Sequence, residues 1–514
     1  MRLADVGPPT YCLIMLLADL VATSAAVAAT SSRLEKRDLL AGLLTRVPAH
    51  EVEIATAYLA GILRQRRTGV GWRSLRGLPD PSDVASVTLT ETDAVMEKLS
   101  LLAGEGSSRA RRAMLDAFCA RLTAPEQEHV RALVTGGLRQ GAQDAVVLEA
   151  IAVAADVPVA EVRRAAMFSA LTGPVAAAAL TGGSAALAAF TLEAGRPVRP
   201  MLASSAPDVP GALEKLGPGE VVVDTKLDGI RIQVHKRGDD VLVFTRSLDE
   251  IGSRLPDVVD VARSLPVTHA ILDGEAMALG DDGRPVAFQD TASSSARHDA
   301  VSGVRPFFFD ALLIDSDELI GHPLVERLDR LDEVVPVEHR VTRLVTSSAD
   351  AAAAYFTDVV AAGHEGVIVK DPDAPYAAGR RGAAWVKVKP RHTLDLVVIA
   401  VEHGSGRRRG KLSNIHLGAR DGDRLVMLGK TFKGMTDEML AWQTERFREL
   451  EISDDGWVVT VRPEQVVEIA FDGVQRSTRY PGGVALRFAR VLRYRHDKSA
   501  AEADTLDSVR ALIR

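Results

Sequence analysis

The sequence predicts a multidomain fold in three parts: an all-α domain over residues 1–195, an α+β domain over 196–390 and a small β-barrel over 391–514. Three observations carry that division. Helical periodicity runs through the first third, short β-branched runs replace it after a basic, breaker-rich linker, and a second break near Lys389-Pro390-Arg391 opens another set of strands. A chain of 514 residues is also too long for one ordinary core.

Residues 16–190 read as helical throughout, because Ala-rich stretches lose little entropy in a helix. In Ala110 to Leu122, apolar Met114, Leu115, Phe118, Cys119 and Leu122 fall on one face, with Arg111, Arg112 and Asp116 opposite. Thr123-Ala124-Pro125-Glu126 then starts another helix, with Thr123 as N-cap and Glu126 three residues on. At the N-terminus, the apolar run from Tyr11 to Leu17 imitates a signal peptide, but Asp19 interrupts it and charged residues come soon after. It falls far short of the roughly 20 residues that span a bilayer, so it reads as a buried helix. Residues 1–14 read as a dispensable extension, with Met15 a candidate start.

The segment from Glu193 to Pro200 is the linker. Beyond it, strands are expected at Val221 to Val223, Ile230 to Val234, Val241 to Phe244, Ala270 to Leu272, Pro306 to Asp310, Gly366 to Lys370 and Ala384 to Lys389. Arg237-Gly238-Asp239-Asp240 reads as a hairpin turn. After the second break come strands at Asp395 to Val401, Leu425 to Phe432, Val458 to Val461 and Val466 to Phe471, interrupted by a helix over Thr436 to Leu450. A short β-region with one inserted helix fits a five-stranded barrel of the kind that lies against nucleic acid.

The net charge of −7 argues against a nucleic-acid partner only if the chain acts as one uniform body. Local fields decide phosphate binding, and basic clusters exist at Arg407-Arg408-Arg409-Gly410-Lys411, at Arg380-Arg381 and from Arg487 to Lys498. Cys12 and Cys119 are the only cysteines, which excludes a four-cysteine zinc site and a disulfide framework and fits a reducing cytoplasm.

The chemistry centres on Lys226-Leu227-Asp228-Gly229. Alone the string is weak, arising by chance in on the order of one in ten chains this long. A series of strings downstream changes its weight: Thr245-Arg246-Ser247, Leu272-Asp273-Gly274-Glu275, Phe309-Asp310, Glu365 through Lys370 and Trp385 through Lys389, each at the edge of an expected strand. A lysine nucleophile must lose its proton, and cations such as Lys387, Lys389 and Arg246 would favour the uncharged amine and cradle phosphates. Glu275 and Glu365 can hold a divalent metal, and Phe309 offers a face for a purine. Period-two alternation sends Lys387 and Lys389 to one face of their strand. Each residue also has a bland reading. The lysines fit a solvated strand face, Glu275 and Glu365 surface carboxylates, Phe309 a core position, and Arg231 and Arg246 surface ion pairs.

The ordered set resembles the nucleotidyltransferase motifs of covalent ligases and capping enzymes, and most closely the ATP-dependent DNA ligases of actinobacterial and eukaryotic replicative type. Arg199-Pro200-Met201-Leu202-Ala203, Pro323 through Leu328 and Leu486 through Lys498 resemble further strings of that family, and the helical region with Gly136 through Gly141 is similar to its DNA-binding domain. The resemblance implies an adenylation domain, an OB-fold barrel and an enzyme that seals nicks in double-stranded DNA during replication, repair and recombination. It implies a monomer without a membrane partner. It further implies that Lys226 becomes covalently adenylated from ATP. Asp224 and Phe309 would hold the adenine, Arg231, Arg246, Glu275, Arg381, Lys387 and Lys389 would bind the nucleotide, and Glu275 and Glu365 would serve Mg²⁺. The Arg490 to Lys498 region would help orient the outgoing phosphates of ATP and then swing aside. Asp224 departs from the glutamate usual in that place, and Ser293-Ser294-Ser295-Ala296 is unusual for the family. An RNA ligase or a capping guanylyltransferase ordinarily lacks so long a helical domain. A DNA-binding clamp without catalysis would not need Lys226, Glu275, Glu365, Lys387 and Lys389.

Overall fold

The structure, a computed structural model, describes residues 14–65, 68–104, 106–142, 144–278, 303–379 and 381–513, apart from the side chains of Arg381 and Arg407. The 1–13 part of the expected extension, Arg380 and the Ser293 to Ala296 string lie outside the described residues.

The first part is helical. Among the described residues, nine α-helices run from Leu17–Ala29 to Thr172–Ala188 around a core that includes Leu17, Leu40, Tyr58, Leu99, Leu115, Val147 and Val175. Alanine serves packing as well as propensity, since Ala150, Ala176 and Ala179 are buried where helices meet closely. The helix Ala124–Val134 begins as expected, with Glu126 accepting the Thr123 backbone N–H at 2.8 Å. Helicity is not continuous, however: among the described residues no α-helix lies between Leu59 and Leu89. Gly69 and Gly77, both at positive φ, and the nearby Pro79 and Pro81 hold that stretch out of the helical basin. None of the described helices is long and apolar enough to cross a membrane.

The middle part is built on two sheets. In one, strands Leu202–Ser205, Arg381–Val388, Gly366–Lys370, Val221–Lys226 and Arg343–Thr346 lie in that order; in the other, Asp240–Thr245, Ile230–Arg237, His269–Ala278, Val304–Ile314 and Asp317–Glu318. Helices Val209–Leu216 and Ala349–Ala361 cover the first, and Pro256–Ser264 and Leu324–Val334 cover the second. The chain passes from sheet to sheet within Leu227-Asp228-Gly229, so this turn is the seam of the domain. The Arg237–Asp240 hairpin forms as its sequence dictates, with Gly238 at φ +57°.

The linker is pinned to this part by His235. Its Nδ1 accepts the Gly195 N–H at 3.0 Å, and its Nε2 lies 2.8 Å from Gln233 Oε1, a pattern that only the neutral ring tautomer protonated at Nε2 satisfies. Burial, reinforced by Arg237, pushes the His235 pKa down to about 3. Below pH 6.5 the unfolded chain therefore takes up a proton that the folded chain refuses, and stability falls as pH falls toward 3. Relative to a His235→Gln variant, the wild type should lose about 1.4 kcal/mol more per pH unit in that window. Calorimetric melts of both proteins from pH 7 to 4 measure this, and parallel slopes would refute it.

The last part holds a curved sheet of seven strands, rather than the five expected, and a separate hairpin of Gly473–Arg476 with Val484–Arg487. The long strand His392–His403 is its hub. One edge pairs with Leu412–Asp421, while the other is shared between Val466–Phe471 and Val458–Val461. Register shifts in its pairing with Leu412–Asp421 let it bend toward the barrel shape. Leu412–Asp421 and Arg490–Arg495 are strands the sequence hid, because Asn414, His416, Arg420, Arg490 and Arg493 dilute their apolar alternation. The expected inserted helix is present as Asp437–Glu449, capped by Thr436 and packed through Phe447.

Candidate active site

Lys226 is the last residue of its strand, opposite Gly366, which places Glu365 beside it; the Glu365 N–H donates to the Lys226 carbonyl at 3.1 Å. The Lys226 ammonium is ion-paired with Glu365, and the same carboxylate holds Lys389. Gly366 permits this approach, because it sits at φ +139° and a Cβ there would lie 2.2 Å from the Val388 carbonyl oxygen. Gly229 has a matching role at the entry to the second sheet. A Cβ would meet the Ala276 carbonyl oxygen at 2.4 Å, and its N–H donates to Glu275 Oε1 at 3.1 Å. The glycine of the Lys-x-Asp-Gly string thus lets the strand that begins at Ile230 lie close against Ala276 of His269–Ala278.

Behind the amine lies a recess of about 80 Å³. Phe309 and Trp385 wall it, their rings 5.9 Å apart and nearly perpendicular. Strand alternation from Lys226 places Asp224 on the same face, where it pairs with Lys370 at 2.5 Å. Both are almost fully buried, and burial raises the Asp224 pKa against the pull of Lys370. Arg231 lies over Phe309, its guanidinium carbon 4.8 Å from the ring centroid, and is gripped by both oxygens of Asp273.

In front of the amine opens a groove of about 1040 Å³, lined by Arg246, Lys387, Lys389, Glu275 and Glu365 and, from the last domain, by Lys433, Asp472, Phe488 and Arg490. Two ion pairs hold that domain over the groove, Arg487 to Asp228 at 3.2 Å and Asp472 to Lys389 at 3.5 Å. The two carboxylates differ electrostatically. Burial pushes Glu275 up to about 7 despite Lys226 and Arg231. For Glu365 burial acts the same way, but Lys226 and Lys389 outweigh it and hold the group below the usual carboxylate range.

The structure therefore gathers Lys226, Asp224, Arg231, Arg246, Glu275, Phe309, Glu365, Lys387 and Lys389 around one recess and groove. The Arg381 side chain lies outside the described residues. Two expectations need correction. The nearest charged partner of Lys226 is an anion rather than a cation, because the strand register seats Glu365 beside it. Within the Arg490 to Lys498 string only Arg490 faces the groove. Arg495 and Lys498 instead clasp Asp395 at 2.9 and 2.6 Å, on the hub strand. Trp385 and Lys370 stand inside strings that the sequence marks, though neither carries an expected role there; alternation from Ile368, another residue lining the recess, points to Lys370. Lys433 and Asp472 carry no local sign of their role.

Comparison with known proteins points the same way. Residues 200–389 match the family described as ATP dependent DNA ligase domain, and residues 408–498 the ATP dependent DNA ligase C terminal region. A "Probable DNA ligase" of Beutenbergia cavernae is 62% identical over 510 residues, covering 97% of this chain and 99% of that protein. One of Nocardioides sp. is 58% identical, with 97% and 99% covered. Among solved structures, Pmar-Lig_PreS3 shares the fold at a TM-score of 0.63 and 17% identity, over 92% of this chain and 99% of that one.

Proposed function

The chain belongs to the ATP-dependent DNA ligase family, and from that premise we propose that it seals nicks in double-stranded DNA, as a monomer, through an adenylate carried on Lys226. The observation that supports this reading most is the position of one amine at the junction of an aromatic-walled recess and a cation-lined groove. Adenine in the recess would stack on Phe309 beside the Asp224–Lys370 pair, and its phosphates would extend past Lys226 toward Arg246, Lys387, Lys389 and Arg490.

The reaction takes three displacements. Lys226 Nζ bonds to the α-phosphorus of ATP as the bond to pyrophosphate breaks. The proton lost before attack has one anionic acceptor in contact, Glu365. A 5′-phosphate oxygen of the nick then takes the AMP, breaking the phosphorus–nitrogen bond and freeing Lys226. Last, the 3′-hydroxyl attacks that activated phosphate and AMP leaves. Fixed cations stabilise charge that grows on the equatorial oxygens.

The donor set suits Mg²⁺. Among the described residues no cluster of three or more His, Cys, Asp or Glu could hold a metal by itself, whereas Glu275 and Glu365 flank the amine with hard oxygens. Mg²⁺ characteristically uses one or two carboxylates and completes its shell with substrate phosphates and water. When bound there it would neutralise phosphate charge.

The helical domain and the barrel would hold the duplex largely through its backbone, as suits an enzyme indifferent to base sequence. A gel assay of nick closure with ATP, NAD and GTP side by side tests the reading. Closure is expected with ATP, and closure supported by NAD or GTP instead would overturn it.

A further inference from the structure

Behind Arg231 runs a buried chain of hydrogen bonds that nucleotide contact alone does not require. The Met201 N–H donates to Tyr376 Oη at 2.9 Å, and the Tyr376 hydroxyl donates to Asp273 Oδ2 at 2.6 Å. Asp273 grips the guanidinium of Arg231 through Nε at 2.8 Å and through Nη2, and Arg231 Nη1 returns to the Met201 carbonyl at 3.3 Å. Tyr376 and Asp273 are each only 1% exposed.

Physical chemistry fixes the direction of this ring. An amide N–H can only donate, so the Met201 bond leaves the phenolic hydrogen aimed at the carboxylate. Burial, and then Asp273, pushes the Tyr376 pKa well above its ordinary 10, so the hydroxyl keeps the proton it must give. Three of the five guanidinium N–H groups are engaged by Asp273 and Met201, which leaves one on each terminal nitrogen. A guanidinium anchored on one side presents the other in a single orientation, over Phe309 and beside the amine. The Tyr376 ring also meets Trp385 edge-on at 5.9 Å, bracing the opposite wall of the recess.

We propose that Tyr376 is a positioning residue for nucleotide capture, acting through Asp273 to aim Arg231 at the bound ATP. The inference rests on the ligase reading and adds a residue that touches no substrate. Tyr376→Phe keeps the ring and its packing and deletes only the hydroxyl. Losing one bond to a charged acceptor should raise the half-saturating ATP concentration for lysyl-AMP formation by roughly 5- to 15-fold. The rate at saturating ATP should stay within about twofold.

The decisive measurement is a double-mutant cycle with Arg231→Lys. Because Tyr376 acts through the guanidinium, the hydroxyl deletion should add less than twofold in the Arg231→Lys background. An equal added loss in both backgrounds overturns the proposal, as does a Tyr376→Phe protein that saturates like the wild type. If Tyr376→Phe does not fold, Asp273→Asn removes the charge that both Tyr376 and Arg231 bind; it should raise the half-saturating ATP concentration at least as far, and add less than twofold in the Arg231→Lys background. A wild type that never forms a lysyl-AMP would instead reject the ligase reading itself, so the two failures are distinguishable.

Discussion

Replacement of Lys226 by alanine is expected to abolish the covalent AMP label and to lower nick closure by roughly four orders of magnitude or more, because the bond-forming atom itself is removed. Charge is not the property at stake. Lys226→Arg would preserve the ion pair with Glu365, yet a guanidinium does not deprotonate in proteins and cannot attack phosphorus. Both variants should therefore fail at the first displacement. When supplied with nicked DNA already carrying the 5′-adenylate, both should retain part of the final step, since that step needs no lysine nucleophile. Incubation with α-labelled ATP, then denaturing electrophoresis, reads the first displacement. Label persisting in Lys226→Ala, or mapping to Lys370, Lys387 or Lys389, would remove Lys226 from its assigned role.

The second large effect concerns stability. Arg327 and Asp310 form a two-pronged ion pair at 2.7 and 3.0 Å with both side chains 0% exposed. Arg327 also donates to the carbonyls of His322 and Ala374 at 2.6 and 3.0 Å. Arg327→Ala leaves a carboxylate and two carbonyls buried without their donor, a loss of about 3–5 kcal/mol. For a domain of this size that corresponds to a melting temperature lower by roughly 6–20 °C. The ATP requirement should rise as well, because Asp310 is adjacent to Phe309 in the same strand. Replacing the pair together, as Arg327→Met with Asp310→Leu, should restore much of the stability, since no uncompensated charge remains. Calorimetry on the three proteins checks this. A single variant within about 1 kcal/mol of the wild type would contradict the burial argument.

How much of this was legible in advance depended on the range of each signal. The strands Val221–Lys226, Gly366–Lys370, Val458–Val461 and Val466–Phe471 were readable because β-branched residues crowd them and breakers bound them. The helix at Ala124 was readable from Thr123 and Glu126, three residues apart. Leu412–Asp421 was not, since only its inner face is apolar and its outer face carries Asn414, His416 and Arg420.

The sequence by itself determined the order of the motifs, the alternation that turns Lys387 and Lys389 one way and which lysine is proposed as the nucleophile. It also places glycine at 229 and 366, but the need for each lies in a carbonyl more than 20 residues away that only packing brings near. Tertiary structure alone decided that Glu365 bridges Lys226 and Lys389, that Lys370 is buried against Asp224 and that Tyr376 backs Arg231 through Asp273. It also decided that Asp472 and Arg490 reach the groove while Arg495 and Lys498 are held away by Asp395. Local periodicity encodes which face of one element a side chain takes. Which two faces meet is set by the joint packing of sheets and cores, and pairs such as Tyr376 and Asp273, 103 residues apart, exist only once that packing is complete.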